Sequence, residues 1–388
     1  MDTVDLVNDN KFNENLINNM DHLQINDRLT CLTIGDPHFK TKNKKETDEM
    51  IEKSIELAKT LNPDFIVILG DVLDTHEKIH VVPLTQAINW IERMSKISTT
   101  YVLIGNHDRP NNSDFLSGYH PFNGLKDSNN IIIVDTAIEI EIKEYKFLFV
   151  PYVPCGRFIE AISTIIDIDD INSYSTIFAH QEFFGAKMGA IISTHGDKWP
   201  LTYPFIISGH IHDYCRPQEN IVYTGTPLQH AFGDSTHKTV SYYSFNNIDN
   251  INMENIYVTK QEELIKNIFE YRIDLNLPKK RIYRLNPEEV LMWEPPDNSL
   301  IKVIIRGTNA QIKATNKLDI IKIWEKKGIK IDYKTIDDHI GISNIDNLDI
   351  ISNDQVSDKR FIYKLYERVN TDPGMKIWYE RLFSFNTT

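Results

Sequence analysis

Short runs of Ile, Val and Leu, most of them closed by glycine, hand over at once to acids, amides or histidines along this chain. The stretches are LTCLTIGDPH from Leu29, FIVILGDVLD from Phe65, TYVLIGNHD from Thr100, STIFAHQE from Ser175 and FIISGHIHD from Phe205. Apolar runs without polar alternation are what strands look like when both faces are covered. Between the first three lie segments of helical spacing. Ile51, Ile55, Ala58 and Leu61 fall on one face, as do Leu84, Ala87 or Ile88, Ile91 and Met94. Strand and helix in alternation predict an α/β layered fold, with polar residues gathered at the carboxyl ends of its strands.

The chain has 388 residues, 41% of them hydrophobic and 25% charged, which is ordinary globular usage and long enough for two or more domains. No apolar run approaches the roughly 18 residues that span a bilayer, and the polar N-terminus has neither a basic nor an apolar leader region. An intracellular, soluble protein with no membrane partner is expected. Cys31, Cys155 and Cys215 are scattered without Cys-x-x-Cys spacing, so ordinary reduced thiols are expected rather than disulfides or a thiolate zinc site. The formal net charge of -13 argues against non-specific coating of nucleic acid but does not exclude a local basic groove.

Each polar cluster alone has a plain structural reading. Asp36-Pro37-His38 reads as a capped turn, Asp71 and Asp74 as loop acids, Asn106-His107-Asp108 as a turn and His180 as a core histidine. His210 and His212 say more, because side chains at i and i+2 of extended backbone point the same way. Together, Asp-x-His, Gly-Asp-x-x-Asp, Gly-Asn-His-Asp, a lone His and Gly-His-x-His in that order are hard to attribute to turns. The set resembles the signature of the calcineurin-like binuclear metallophosphoesterases over about residues 29 to 245. That resemblance implies a four-layer α/β/β/α sandwich. It also implies one metal on Asp36, His38 and His212, another on Asn106, His180 and His210, and Asp71 as the shared carboxylate. Two divalent ions about 3.5 to 4 Å apart need such an anion between them. Carboxylate, imidazole and amide donors without thiolate suit manganese, iron or zinc, and the family points to manganese. His107 is then left to assist the leaving oxygen, with Asp74 orienting its ring; Asp108 reads as a cap of the loop that follows it, and Gly209 as the residue that lets the backbone turn beside the histidine pair.

The same site serves several chemistries, so the substrate rests on other stretches. IVYTGTPLQHAFGD from Ile221 and VPYVPCGRF from Val150 resemble segments of the SbcD-like nuclease subunit of DNA double-strand-break repair complexes. Beyond the catalytic segment, taken as residues 29 to 258 after a polar extension at 1 to 28, EELIKNIFEY has helical character. The basic stretch PKKRIYR follows, then a β-α-β pattern, so residues 259 to 343 are expected to hold a linker and a small α/β capping domain. Lys279, Lys280, Arg281, Arg284, Lys302 and Arg306 are candidates to meet DNA phosphates. Residues 344 to 388 read as an acidic linker and a C-terminal helical segment, which in the resembled complexes docks on an SbcC-type coiled-coil ATPase. The stretch KMGAIISTHGDKWPLTYP, with His195 and Trp199, reads as a loop over the site, and the helices around Trp90 and in the capping domain as a candidate homodimer contact, as in the resembled nucleases. The expected function is a metal-dependent DNA exo/endonuclease acting in DNA repair or processing. A standalone phosphatase or phosphodiesterase on a small phosphoester and a non-catalytic scaffold are the alternatives, and His107 beside a full ligand set counts against the scaffold.

Overall fold

A computed structural model of the chain describes residues 29–245 and 268–336, apart from Glu77, Ala190 and Asn298. The N-terminal extension and the C-terminal docking segment expected from the sequence lie outside the described residues. In chain order the strands are β1 (Leu29–Ile34), β2 (Phe65–Ile68), β3 (Thr99–Leu103), β4 (Ile131–Val134), β5 (Ile138–Ile142) and β6 (Tyr145–Val150). They continue with β7 (Thr176–His180), β8 (Lys187–Met188), β9 (Ile191–Ile192), β10 (Phe205–Gly209), β11 (Cys215–Gln218) and β12 (Ile221–Tyr223). The last are β13 (Val240–Phe245), β14 (Ile268–Ile273), β15 (Lys279–Leu285), β16 (Ser299–Gly307) and β17 (Lys330–Thr335). The helices are α1 (Lys44–Leu61), α2 (Val81–Ser95), α3 (Phe158–Ile162), α4 (Asn309–Thr315) and α5 (Asp319–Lys326).

Two six-stranded sheets carry the polar loops. The first runs β14-β13-β1-β2-β3-β4, with β1 to β4 parallel and β13 and β14 antiparallel additions. The second runs β11-β12-β10-β7-β6-β5, parallel through its middle and antiparallel at both edges. Because side chains alternate across a strand, each buried strand feeds two cores. Phe65, Val67, Leu69, Phe147, Phe149, Phe178 and Ile207 fill the space between the sheets. Ile66, Ile68 and the buried faces of α1 and α2 pack on the far side of the first sheet, and Leu148, Val150, Ile177 and α3 on the far side of the second. That is the α/β/β/α layering expected of the sequence, with a thin outer layer on the second sheet.

Two local readings change, and one helix is seen more closely. Residues 268–271 of EELIKNIFEY form the start of β14, because Tyr271 and Ile273 alternate with Ile268 and Glu270 and complete the first sheet against β13. The Trp90 side chain itself faces the core. It is fully buried, donates from Nε1 to Ser54 Oγ at 3.1 Å and packs on Phe39. The KMGAIISTHGDKWPLTYP stretch is anchored on the outer face of the second sheet, where Trp199 packs on Phe158 and Phe183 and His195 is exposed.

The small module beyond Leu277 is a parallel sheet, β15-β16-β17, with α4 and α5 joining its last two strands. Ile301, Val303 and Ile305 alternate onto one face and meet Ile321 and Trp324 of α5, which gives the module its own core. Thr308 begins α4 with a capping box to Gln311. Among the described residues no helix is long and apolar enough to cross a membrane, and the three cysteines are unpaired.

Asp135, just after β4, accepts from His120 Nε2 at 3.2 Å and from Lys126 Nζ at 2.5 Å. Burial would raise its carboxyl, but these two donors outweigh it and hold it at about 2. With the folded value below the unfolded one of about 3.9, the stabilisation is present above about pH 4 and is lost as pH falls through about 2. Asp135→Asn is expected to cost about 1 to 2 kcal/mol in urea denaturation at pH 7, after allowing for water around Lys126. The gap to wild type should narrow as the pH is taken below 4.

Candidate metal centre

All the predicted polar residues converge where the carboxyl ends of the two sheets meet. Asp36 and His38 follow β1, Asp71 and Asp74 follow β2, and Asn106 and His107 follow β3; His180 ends β7, and His210 and His212 follow β10. The loops are tied by main-chain bonds that prolong the strand ladder, His38 N to Asp71 O at 3.1 Å and Phe39 N to Val72 O at 2.8 Å. Asp108 reinforces them: its carboxylate accepts from Val72 N, Leu73 N and Gly105 N. It is a cap, but of the preceding turn and of the loop after β2 rather than of the loop that follows it.

The side chains divide into two groups about one carboxylate. Asp71 Oδ2 lies 3.6 Å from His38 Nε2, and Asp71 Oδ1 lies 3.4 Å from His180 Nε2. On the first side His38 Nε2 is 3.0 Å from His212 Nε2. On the second, Asn106 Oδ1 lies 3.2 Å from His180 Nε2 and 3.0 Å from His210 Nδ1. His180 Nδ1 is 2.6 Å from the carbonyl of Leu69, which can only accept, so that nitrogen carries the proton and Nε2 faces Asp71, Asn106 and His210. Asp36 accepts the main-chain N–H of His210 on Oδ1 at 2.8 Å, while its Oδ2 is buried with no hydrogen-bond partner, as is His38 Nδ1.

Two expectations about how the histidine pair is presented are corrected. His210 and His212 do not extend the strand and point the same way: His210 has φ +83°, β10 ends at Gly209, and the two rings enter different groups. Gly209 is needed for close approach rather than for a turn, since a Cβ there would stand 2.6 Å from Leu69 O and 3.0 Å from His180 Nδ1. The unusual backbone lies at the polar residues themselves. Asp36, His38 and Asp71 also have positive φ, of 44°, 45° and 48°. Such conformations carry strain that persists where the surroundings enforce it, and they cluster at functional sites.

Asp74 approaches His107, but not as expected. His107 Nδ1 bonds the Asp74 main-chain carbonyl at 2.9 Å, whereas the Asp74 carboxylate pairs with Lys40 Nζ at 2.9 Å. A carbonyl fixes the ring as well as a carboxylate does, without adding a negative charge. His76 stacks on His107 with centroids 4.5 Å apart, and Tyr152, from the VPYVPCGRF stretch, lies 5.9 Å from the His210 ring. Sequence reasoning assigned no role to His76, to Lys40 or to His230, whose ring is 4.8 Å from that of His38. His76 falls two residues after Asp74, and His230 inside the Thr-Gly-Thr-Pro segment, so both stood beside motifs that had already been marked.

Burial dominates the protonation of the cluster. It pushes the Asp36 carboxyl up to about 8, with Asp71 adding to the effect, and it drives His38 well down. It holds His210 at about 3, helped by the charge on His180. Asp71 stays ionised despite burial because His180 and His38 face it, and Asp71 and Asp36 in turn hold His180 up at about 9 against burial. These are donors competing for one positive charge in a dry site. The donor set fits divalent cations, which favour the carboxylate anion and the neutral imidazole lone pair. Two triplets of donors, His38–Asp71–His107 and Asp71–His180–His210, have ligand atoms within 4.8 Å of one another and share Asp71.

Residues 29–214 match the family described as calcineurin-like phosphoesterase. "Putative phosphoesterase 244L" of Invertebrate iridescent virus 6 is 42% identical over 297 residues, covering 76% of this chain and 100% of that relative. The chain belongs to the calcineurin-like phosphoesterases. A second relative, "Putative phosphoesterase 078R" of Invertebrate iridescent virus 3, is 36% identical over 357 residues, 91% of this chain and 95% of its own. Among solved structures, GAP50, the anchor in the inner membrane complex of Plasmodium, aligns with 57% of this chain and 82% of its own at 14% identity. The TM-score of that alignment is 0.34. The calcineurin-like phosphoesterases are metal-using phosphoester hydrolases, and the cluster around Asp71 is this chain's candidate set of metal donors.

Gly209→Ala should displace the Leu69 carbonyl that fixes His180. Unfolding in urea is expected to show a loss of about 1 to 3 kcal/mol, and isothermal titration with manganese a several-fold weaker cation affinity.

Proposed function

We propose that this calcineurin-like phosphoesterase is a two-cation phosphodiesterase whose substrate is DNA. The observation that carries the two-cation reading is the position of Asp71, with one carboxylate oxygen toward His38 and the other toward His180. In this assignment Asp36, His38 and His212 hold one cation, Asn106, His180 and His210 the other, and Asp71 both. Manganese is the proposed metal, with iron or zinc served by the same donors. When bound, such a pair supplies a nucleophilic water at neutral pH and neutralises charge on the phosphoryl oxygens.

The chain's own contribution centres on His107. Its Nδ1–H is held by the Asp74 carbonyl and its face by His76, so Nε2 is the end free to deliver a proton to the leaving oxygen. Asp74 is a positioning residue through its main chain, and its carboxylate keeps Lys40 at the edge of the site. Burial of Asp71, His38 and His180 strengthens the interactions among them, while Lys40 and Asp74 stay partly exposed.

For the DNA reading, support comes from the resemblance of the 150–158 and 221–234 stretches to SbcD-like nucleases and from the module attached beyond the catalytic sheets. Of its basic residues, Arg281 and Arg284 are exposed on β15, whereas Lys279, Lys280 and Lys302 are committed to Asp274, Glu46 and Asp332. Phosphate contact by the module therefore rests on fewer cations than the composition of PKKRIYR implies. Docking on an SbcC-type ATPase would use the segment beyond Asn344, outside the described residues.

End-labelled linear duplex and single-stranded DNA incubated with manganese should be degraded, and chelation should abolish the reaction. His107→Ala is expected to slow cleavage by about 10² to 10⁴-fold, and Asp71→Asn to remove it. Hydrolysis of an aryl phosphoester with DNA left intact would keep the metal chemistry and overturn the nuclease assignment.

A further inference from the structure

His230 lies in the loop after β12, outside the residues assigned above, yet it is built into the first half of the site. Its Nε2 is 3.0 Å from the main-chain carbonyl of Asp36, an acceptor only, so Nε2 carries the proton and Nδ1 the lone pair. Nδ1 is buried with no hydrogen-bond partner. The ring stands edge-on to both His38 and His212, at centroid separations of 4.8 and 5.1 Å, and a donor nitrogen from each of the three lies within 4.8 Å of the others. A core histidine of purely structural use would satisfy both ring nitrogens, since an unmet buried acceptor costs about 1 to 3 kcal/mol. One nitrogen fixed by a main-chain carbonyl and the other presented bare is the arrangement that orients a metal-binding imidazole. We propose that His230 is a further imidazole donor to the cation held by His38 and His212.

The loop that presents it is clamped by the appended module. Asp234 Oδ2 accepts from His230 N at 2.7 Å and from Ala231 N at 2.9 Å. The Gln229 side chain acts as a strand edge for Lys280 of β15, accepting from Lys280 N at 2.6 Å and donating to Lys280 O at 3.2 Å. Lys280 Nζ returns a bond to Gln229 O at 2.6 Å and pairs with Glu46 of α1 at 2.5 Å. The Lys280 side chain is 8% exposed, so its charge is committed to this clamp rather than offered to a substrate. Lys280 is thus a positioning residue for His230, and through it the small module helps to form the site.

The inference rests on the two-cation reading, and the test separates the two. Manganese binding to the full chain, followed by calorimetry, and cobalt binding, followed by visible absorption, would be compared for wild type, His230→Ala, His230→Phe, Lys280→Met and Asp71→Asn. Both His230 variants are expected to weaken one cation by about 10 to 100-fold and to alter its cobalt absorption, with the other cation unchanged. Lys280→Met should weaken the same cation to a smaller degree. Two cations bound by both His230 variants within twofold of wild type would overturn the inference while leaving the two-cation centre intact. Failure of Asp71→Asn to disturb binding would instead overturn the centre itself, and the inference with it. Circular dichroism in chelator checks that the variants fold. Should both His230 variants misfold, zinc added to the unmodified chain with ¹⁵N-labelled histidine decides: the Nδ1 of His230 must move together with the ring nitrogens of His38 and His212, and a stationary Nδ1 overturns the inference.

Discussion

A single buried carboxylate, Asp71, organises the rest of the molecule. It is 2% exposed, accepts the His107 amide at 2.8 Å and faces imidazoles from both sheets. An unpaired charge there would be prohibitive, so the surrounding structure must bring positive charge to it. The carboxyl ends of β1, β2, β3, β7 and β10 meet at this point, and each contributes a polar side chain to the cluster. The left-handed backbone at Asp36, His38, Asp71 and His210 is what that convergence costs.

The layered cores explain why the site can be both strained and fixed. The aromatic filling between the sheets, with Phe149 stacked on Phe178 at 4.9 Å and on Tyr101 at 4.4 Å, locks the sheets face to face. The carboxyl ends of β1, β2 and β3 are thereby held against those of β7 and β10. Glycines at 70, 105 and 209 then let loops pass at distances no side chain permits; a Cβ on Gly105 would stand 2.2 Å from Asp71 Oδ1. Removal of one methyl's worth of space acts directly on the residues around Asp71, because a Cβ at these glycines would meet them or the backbone beside them.

The second sheet and the small module make different contributions. β12 leads into the loop that carries His230, and β15 grips that loop through Lys280 and Gln229. The module therefore has a role at the site's rim that does not depend on its exposed basic residues. A positive stretch such as PKKRIYR reads as a phosphate-binding surface in one dimension, but ion pairing with Asp274 and Glu46 takes up two of its charges in three.

The amino-acid pattern by itself determined the α/β layering, the two amphipathic helices and the polar residues at the strand ends, because continuous apolar runs and helical periodicity are local signals. It also brought Asp36, His38, Asp71, Asn106, His180, His210 and His212 forward as one constellation, since their order and residue types are unusual together. The tertiary structure alone decided that Asp74 holds His107 by its carbonyl, and that His76 and His230 stand beside the cluster. It decided as well that residues 268–273 form a strand, where helical spacing and β-alternation compete within a short segment and an open edge of the sheet settles the matter. These outcomes depend on contacts between residues distant in sequence: His230 meets Asp36 across 194 positions, and no local periodicity encodes such a meeting.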